Sequence, residues 1–182
     1  MRARFAVKPA AGEVLIFAGT MDVVRRSRIG WLLAQACRLI GTPLVPHQGR
    51  NVPTEVRVSS DPAGGIVWTR RYAFGGRRPV EVCSTKRPDP PAGLLECAGH
   101  GLGMRLRLFE RDGALHFVSV GYCLEIRRRR VAIPDLLTPG EAHVVHKDEG
   151  GGWFRFTLSF RHRWFGETFF QEGLFRQAEF VP

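Results

Sequence analysis

Glu96 stands in the run Leu94-Leu95-Glu96-Cys97-Ala98, where an extended chain puts it on one face with Leu94 and Ala98. A carboxylate on an inward, apolar face needs a cation or a hydrogen-bond donor, and Arg70 and Arg105 are the partners the sequence offers. Such a group does one of two things. It neutralises an arginine for structural reasons, or it forms with that arginine a polar anchor for the carboxylate or hydroxyl of a ligand. Trp68 precedes Arg70 by two residues and shares its face, adding a broad aromatic surface beside the anchor. A second polar interruption of an aromatic strand occurs at Gln171-Glu172-Gly173, where Glu172 alternates with Phe170 and Leu174 and is the second candidate for an inward polar contact.

His143 and His146 are three residues apart, a spacing that sends them to opposite faces of a strand. His146 could meet a metal only if Asp148 and the distant His162 converged on it. The four cysteines, Cys37, Cys83, Cys97 and Cys123, form no CxxC pair, and no GxSxG elbow or Cys-His pairing points to a nucleophile. No cofactor is therefore expected. Cys83 and Cys97 flank the turn at Pro88-Asp89-Pro90-Pro91 and could face each other across a hairpin.

The elements that must position these residues are read from periodicity. Val14 to Arg26 is a strand with an irregularity expected at Gly19. Ser27 then caps a helix whose apolar stripe, Ile29, Leu32, Leu33, Ala36, Cys37, Leu39 and Ile40, runs until Gly41 and Pro43. It is expected to pack on the sheet or close one end of a barrel. Every later segment has a period of two: Val56 and Val58, then Ile66, Trp68 and Tyr72, then Val80 and Val82, then Leu102, Met104, Leu106 and Leu108. Asp112-Gly113 is a hairpin signal. Beyond it Leu115 and Phe117 are odd-numbered whereas Tyr122, Leu124 and Ile126 are even, so a bulge near Gly121 is needed to keep one apolar face. The last three strands are AHVVHK, WFRFTLSFRH and ETFFQEGLF. One strand, one helix and roughly eight to nine further strands, without βαβ alternation, point to an antiparallel barrel or strongly curved sheet forming a single domain over residues 1–182.

Composition is that of a globular chain: 44% hydrophobic and 24% charged residues in 182. No apolar run is long enough to span a bilayer and the first residues lack a signal-like core, so the expected location is the cytoplasm. The net charge of +10 raises nucleic acid as a partner, but 24 of the 27 basic residues are arginines spread along the chain, which argues against a dedicated binding segment. The densest run, Arg127 to Arg130, ends an apolar strand and reads as a solvated rim.

The stretches LLECAGHGLGMRLRLFERDGALHFVSVGYCLEI and LLTPGEAHVVHKDEGGGWFRFTLSFRHRWFGETFFQEGLF, with GTMDVVRR, LIGTPL, VPTEV and WTRRY before them, resemble a bacterial family known as domain of unknown function 4166. The resemblance covers about residues 15–176 and rests on ordered motifs: Trp68 to Arg70, Gly101 to Met104 and His146 to Thr157. It departs at Arg26 and Arg163, where members usually place glycine and proline. Members also occur joined to oxidoreductase-like domains, which implies a separate NAD(P)-dependent oxidoreductase as a partner. This chain has no GxGxxG between a strand and a helix.

These readings favour binding of a small apolar or amphipathic molecule inside a curved sheet, through Trp68, Arg70, Glu96, Arg105, His146 and Glu172. The element order is similar to that of calycin or lipocalin-like carriers, with a helix-grip fold as the competitor. The alternatives are an enzyme or accessory domain, which requires Glu96, His146 and Glu172 to converge, and a basic nucleic-acid module, which requires the arginines to gather on one face.

Overall fold

The computed structural model describes residues 9–178 apart from 11, 40–43, 91–92 and 128, and only the backbone of 36–39. Strand β1 (Val14–Arg26) leads into helix α1 (Arg28–Leu39), followed by β2 (Gly49–Ser60), β3 (Ile66–Tyr72), β4 (Val80–Asp89), β5 (Gly93–Ala98), β6 (Leu102–Arg111) and β7 (Ala114–Ile126). Then come β8 (Arg129–Ile133), a single 3-10 turn at Asp135–Leu137, β9 (Glu141–Gly150), β10 (Trp153–His162) and β11 (Gly166–Gln177). All neighbours are antiparallel, in the order β6-β5-β4-β3-β2-β1-β11-β10-β9-β7, and pairing of β6 with β7 closes the ring into a ten-stranded barrel. β8 lies outside it, paired to the second half of β7, while the first half of β7 pairs with β9.

Closure follows from where the chain bends. Asp112 and Gly113 both have positive φ, 52° and 69°, and join β6 to β7 as a two-residue turn with Arg111 opposite Ala114. Further along β7 the register slips by one residue: Arg105 faces Gly121, but Leu106 faces Ser119. Val120 is the extra residue and is half exposed, so Leu115 and Phe117 before the bulge and Tyr122 after it all point inward. The parity change in the sequence thus encodes a bend. In β1 the expected irregularity falls at Asp22, between Met21 and Val23, rather than at Gly19. Gly19 serves another end: a Cβ there would lie 2.1 Å from the Leu174 carbonyl oxygen.

The interior is built from alternate residues of the ten barrel strands. Phe17, Met21, Val56, Val58, Tyr72, Leu106, Phe154, Phe156, Phe160, Phe169 and Phe175 are buried in one cluster. The phenylalanines of β10 and β11 dominate it; each buried ring is worth roughly 1.5–3 kcal/mol.

Helix α1 starts as expected, with Gly30 N–H donating to Ser27 Oγ at 3.0 Å. Its packing differs from the expected stripe. Gly30 faces the barrel wall at Thr168 of β11 and Ala34 is buried, whereas Trp31 and Leu32 are 43% and 55% exposed. Close approach of the backbone at Gly30 seats the first turn, and of the expected stripe Ile29 and Leu33 are half-buried while Leu32 faces out. The following segment brings Val45 into the core beside Leu44, which packs against it, and the Arg26 guanidinium holds that segment by donating to the Pro46 carbonyl at 2.9 Å. The end of the helix expected at Ile40, Gly41 and Pro43 lies outside the described residues. The helix-grip alternative is excluded because the sheet closes on itself through a C-terminal strand. Among the described residues no helix is long and apolar enough to cross a membrane.

Candidate functional site

Inside the barrel lies a cavity of about 570 Å³, the size of a small-molecule pocket rather than of a packing void. One wall, from β10 and β11, is aromatic: Phe154, Phe156, Phe160, Phe169 and Phe175. The opposite wall, from β3, β4 and β5, carries the charge.

Its geometry follows from strand register. Trp68 faces Ser84, Arg70 faces Val82, and Lys86 has Ile66 of β3 on one side and Glu96 of β5 on the other. Alternation then turns Trp68, Arg70, Ser84, Lys86 and Glu96 into the same space. Glu96 Oε1 accepts from Ser84 Oγ at 2.7 Å and from Lys86 Nζ at 3.2 Å, and lies 3.7 Å from Arg70 Nη2. Arg70 Nη1 donates to Ser84 Oγ at 3.2 Å. The Lys86 ammonium also sits 4.9 Å from the centre of the Trp68 ring. The side chains of Arg70, Lys86 and Glu96 are all less than 15% exposed.

Burial alone would raise the Glu96 carboxyl; Lys86, Arg70 and the hydrogen bonds from Ser84 and Lys86 overturn that and hold it at about 2. Lys86 is lowered from its ordinary value, mainly by burial, against the opposing pull of Glu96. His146 also reaches the cavity. Its ring stacks on Phe154 at 5.8 Å and meets Phe156, Phe117 and Trp68 edge-on at 5.3, 5.6 and 6.3 Å. Burial, helped by the charges of Lys86 and Arg70, lowers it to about 3, so it is neutral at physiological pH. A further polar contact crosses the barrel, where the buried Tyr72 hydroxyl donates to Gln171 Oε1 at 3.3 Å. The Trp68 indole Nε1–H is buried with no acceptor among the described residues.

Four of the six residues read from the sequence thus meet here: Trp68, Arg70, Glu96 and His146. Two do not. Arg105 is half exposed and pairs with Asp89 at 3.6 Å, because Met104 and Leu106 take the inward positions on either side of it. Glu172 faces out, accepting from Thr157 Oγ1 and pairing with Arg155. The inward polar residue of that run is its neighbour Gln171. Glu96, His146 and Glu172 therefore do not converge. Lys86 and Ser84 escaped the sequence reading, although continuing the alternation of Val80 and Val82 by two more steps places both on the inner face.

The metal reading fails on geometry. His143 is on the outer face, its Nε2 2.9 Å from His116 Nδ1, and His162 is at the far end of β10, against the Asp135 carbonyl and stacked on Phe165. Among the described residues no group of three or more His, Cys, Asp or Glu could hold a metal ion. Cys97 sits opposite Thr85, two residues off register from Cys83, and Cys83, Cys97 and Cys123 are free thiols.

No curated protein and no solved structure matches this chain. A family model described as domain of unknown function, DUF4166, matches residues 1–175, and with nearly the whole chain covered the protein belongs to that family.

Proposed function

We propose that the barrel binds a small, apolar or amphipathic molecule in its interior. The observation that carries this reading is the cavity of about 570 Å³ lined by aromatic and aliphatic side chains, in a protein interior that ordinarily leaves few voids larger than a water molecule. A few polar groups gathered on one wall are what orients a ligand in such a pocket. Binding is favoured over acid-base catalysis by Glu96, His146 and Glu172, since these three do not converge: Glu172 lies outside the cavity with Thr157 and Arg155. The outer-wall arginines support the same choice over nucleic acid: Arg25, Arg57, Arg130 and Arg155 are each paired with a carboxylate.

The test is titration of the purified protein with phenylnaphthylamine, a neutral fluorophore that brightens in apolar surroundings. Saturable binding of one molecule per chain is expected, weakened when Phe156→Trp or Val144→Phe fills the cavity. Fluorescence that rises without saturation, or that these fillings leave unchanged, overturns the reading.

A further inference from the structure

We infer that the bound molecule carries a single anionic group, a carboxylate on an apolar tail, received by Arg70, Lys86 and the Trp68 indole N–H beside Glu96. This rests on the ligand-binding reading above and names the chemistry of the ligand's polar end.

The argument begins with charge. The cavity wall contributes two cations, Arg70 and Lys86, and one carboxylate, Glu96, while His146 is neutral. One positive charge is left over inside a largely apolar enclosure, where an unbalanced charge is costly. A ligand with one negative charge balances it; a neutral ligand leaves the cost in place and a cationic one increases it.

Hydrogen-bond capacity points the same way. The Oε1 oxygen of Glu96 is committed, accepting from Ser84 and Lys86. The Arg70 guanidinium is not: among the described residues it makes one side-chain hydrogen bond, to Ser84, and approaches Glu96 Oε1 only to 3.7 Å. A guanidinium has five N–H donors in a planar fork suited to a carboxylate. Trp68 adds a buried indole N–H without an acceptor among the described residues. Donors outnumber acceptor oxygens in this corner, and positive charge is in surplus. Opposite, the phenylalanines of β10 and β11 offer only apolar contact, so the complementary molecule is charged at one end and hydrocarbon at the other.

The experiment is displacement of phenylnaphthylamine by dodecanoate and by dodecanol, which share a tail and differ in the head. Dodecanoate is expected to bind about tenfold more tightly, the size of one charge-assisted hydrogen bond. Arg70→Met and Lys86→Met should each bring that ratio toward one. Glu96→Gln should raise it severalfold, by removing the competing carboxylate. A rise in Glu96→Gln cannot come from a damaged fold, because damage weakens both competitors. Equal displacement by the two compounds, or a ratio that does not move in opposite directions in the Lys86 and Glu96 variants, overturns the anionic assignment and leaves the cavity reading standing. Failure of the fluorophore and of both competitors to bind overturns the cavity reading itself, and the anionic assignment with it.

Discussion

Lys86 and Glu96 face each other directly across the β4–β5 ladder, with Nζ 3.2 Å from Oε1, inside the barrel and not on its outer wall. Because Arg70 approaches the same carboxylate oxygen to 3.7 Å, the two partners of this pair are not equivalent. Glu96→Leu leaves two buried cations without a counter-charge and should cost about 3 kcal/mol, the usual size for a broken buried pair. Lys86→Met leaves Glu96 balanced by Arg70 and should cost about 1 kcal/mol. Urea unfolding of the two variants checks the asymmetry; equal losses would count against a three-membered cluster.

Acid should loosen the protein well before Glu96 titrates. His146 is held neutral down to about 3, whereas in the unfolded chain it takes up its proton near 6.5. The unfolded state then binds more protons over that interval. Stability from this residue is complete above pH 6.5 and falls steadily as pH drops toward 3, by about 5 kcal/mol in all at 1.36 kcal/mol per pH unit. His146→Phe should flatten the unfolding free energy between pH 6 and 4 while keeping the ring contacts with Phe154 and Phe156. The contribution of Glu96 is lost only lower, as pH falls from its ordinary value near 4.5 to about 2.

Period-two alternation carried most of the fold, and it carried the inward placement of Trp68, Arg70 and Glu96, because parity along a strand is a local property. It failed where parity alone does not identify the inner face. Glu172 and Gln171 are adjacent, so one must face in and one out; the choice depends on the register of β11 with β1, including the bulge at Asp22. Arg105 was offered to Glu96 by charge although its neighbours Met104 and Leu106 already occupied the inner face. The helix misled for a different reason. Leu32 belongs to the visible stripe yet faces out, while Gly30 touches the wall, and a glycine leaves little trace in a hydrophobic pattern. Joining of β6 to β7 was suggested by the Asp112-Gly113 turn. Pairing of β7 with β9 and of β1 with β11 spans long sequence separations and has no local signal.

Gly30 gives a sharp test of how α1 is seated. A Cβ at that position would lie 1.9 Å from the Thr168 carbonyl oxygen, a backbone atom that cannot swing aside. Gly30→Ala should therefore push the helix off β11 and destabilise by about 2 kcal/mol, although alanine is the better helix former. Gly75→Ala is the control, since a Cβ there meets nothing within 4 Å and Gly75 is not among the glycines of positive φ. Thermal unfolding should separate the two by several degrees.

The contact between Tyr72 and Gln171 should show strong coupling. Both side chains are no more than 2% exposed, and they reach each other from β3 and β11 across the barrel. Burial raises the Tyr72 hydroxyl above its ordinary value, so the group is a neutral donor at neutral pH. Tyr72→Phe leaves the Gln171 oxygen without this donor, and Gln171→Leu leaves the hydroxyl without its acceptor; each should cost about 1–3 kcal/mol. Tyr72→Phe with Gln171→Leu removes both polar ends together and should recover at least 1 kcal/mol relative to the sum of the single losses. The double-mutant cycle, measured by urea unfolding, reads that coupling directly. Additive losses would mean that the two groups do not serve each other and that their 3.3 Å approach contributes nothing to holding β3 and β11 around the cavity.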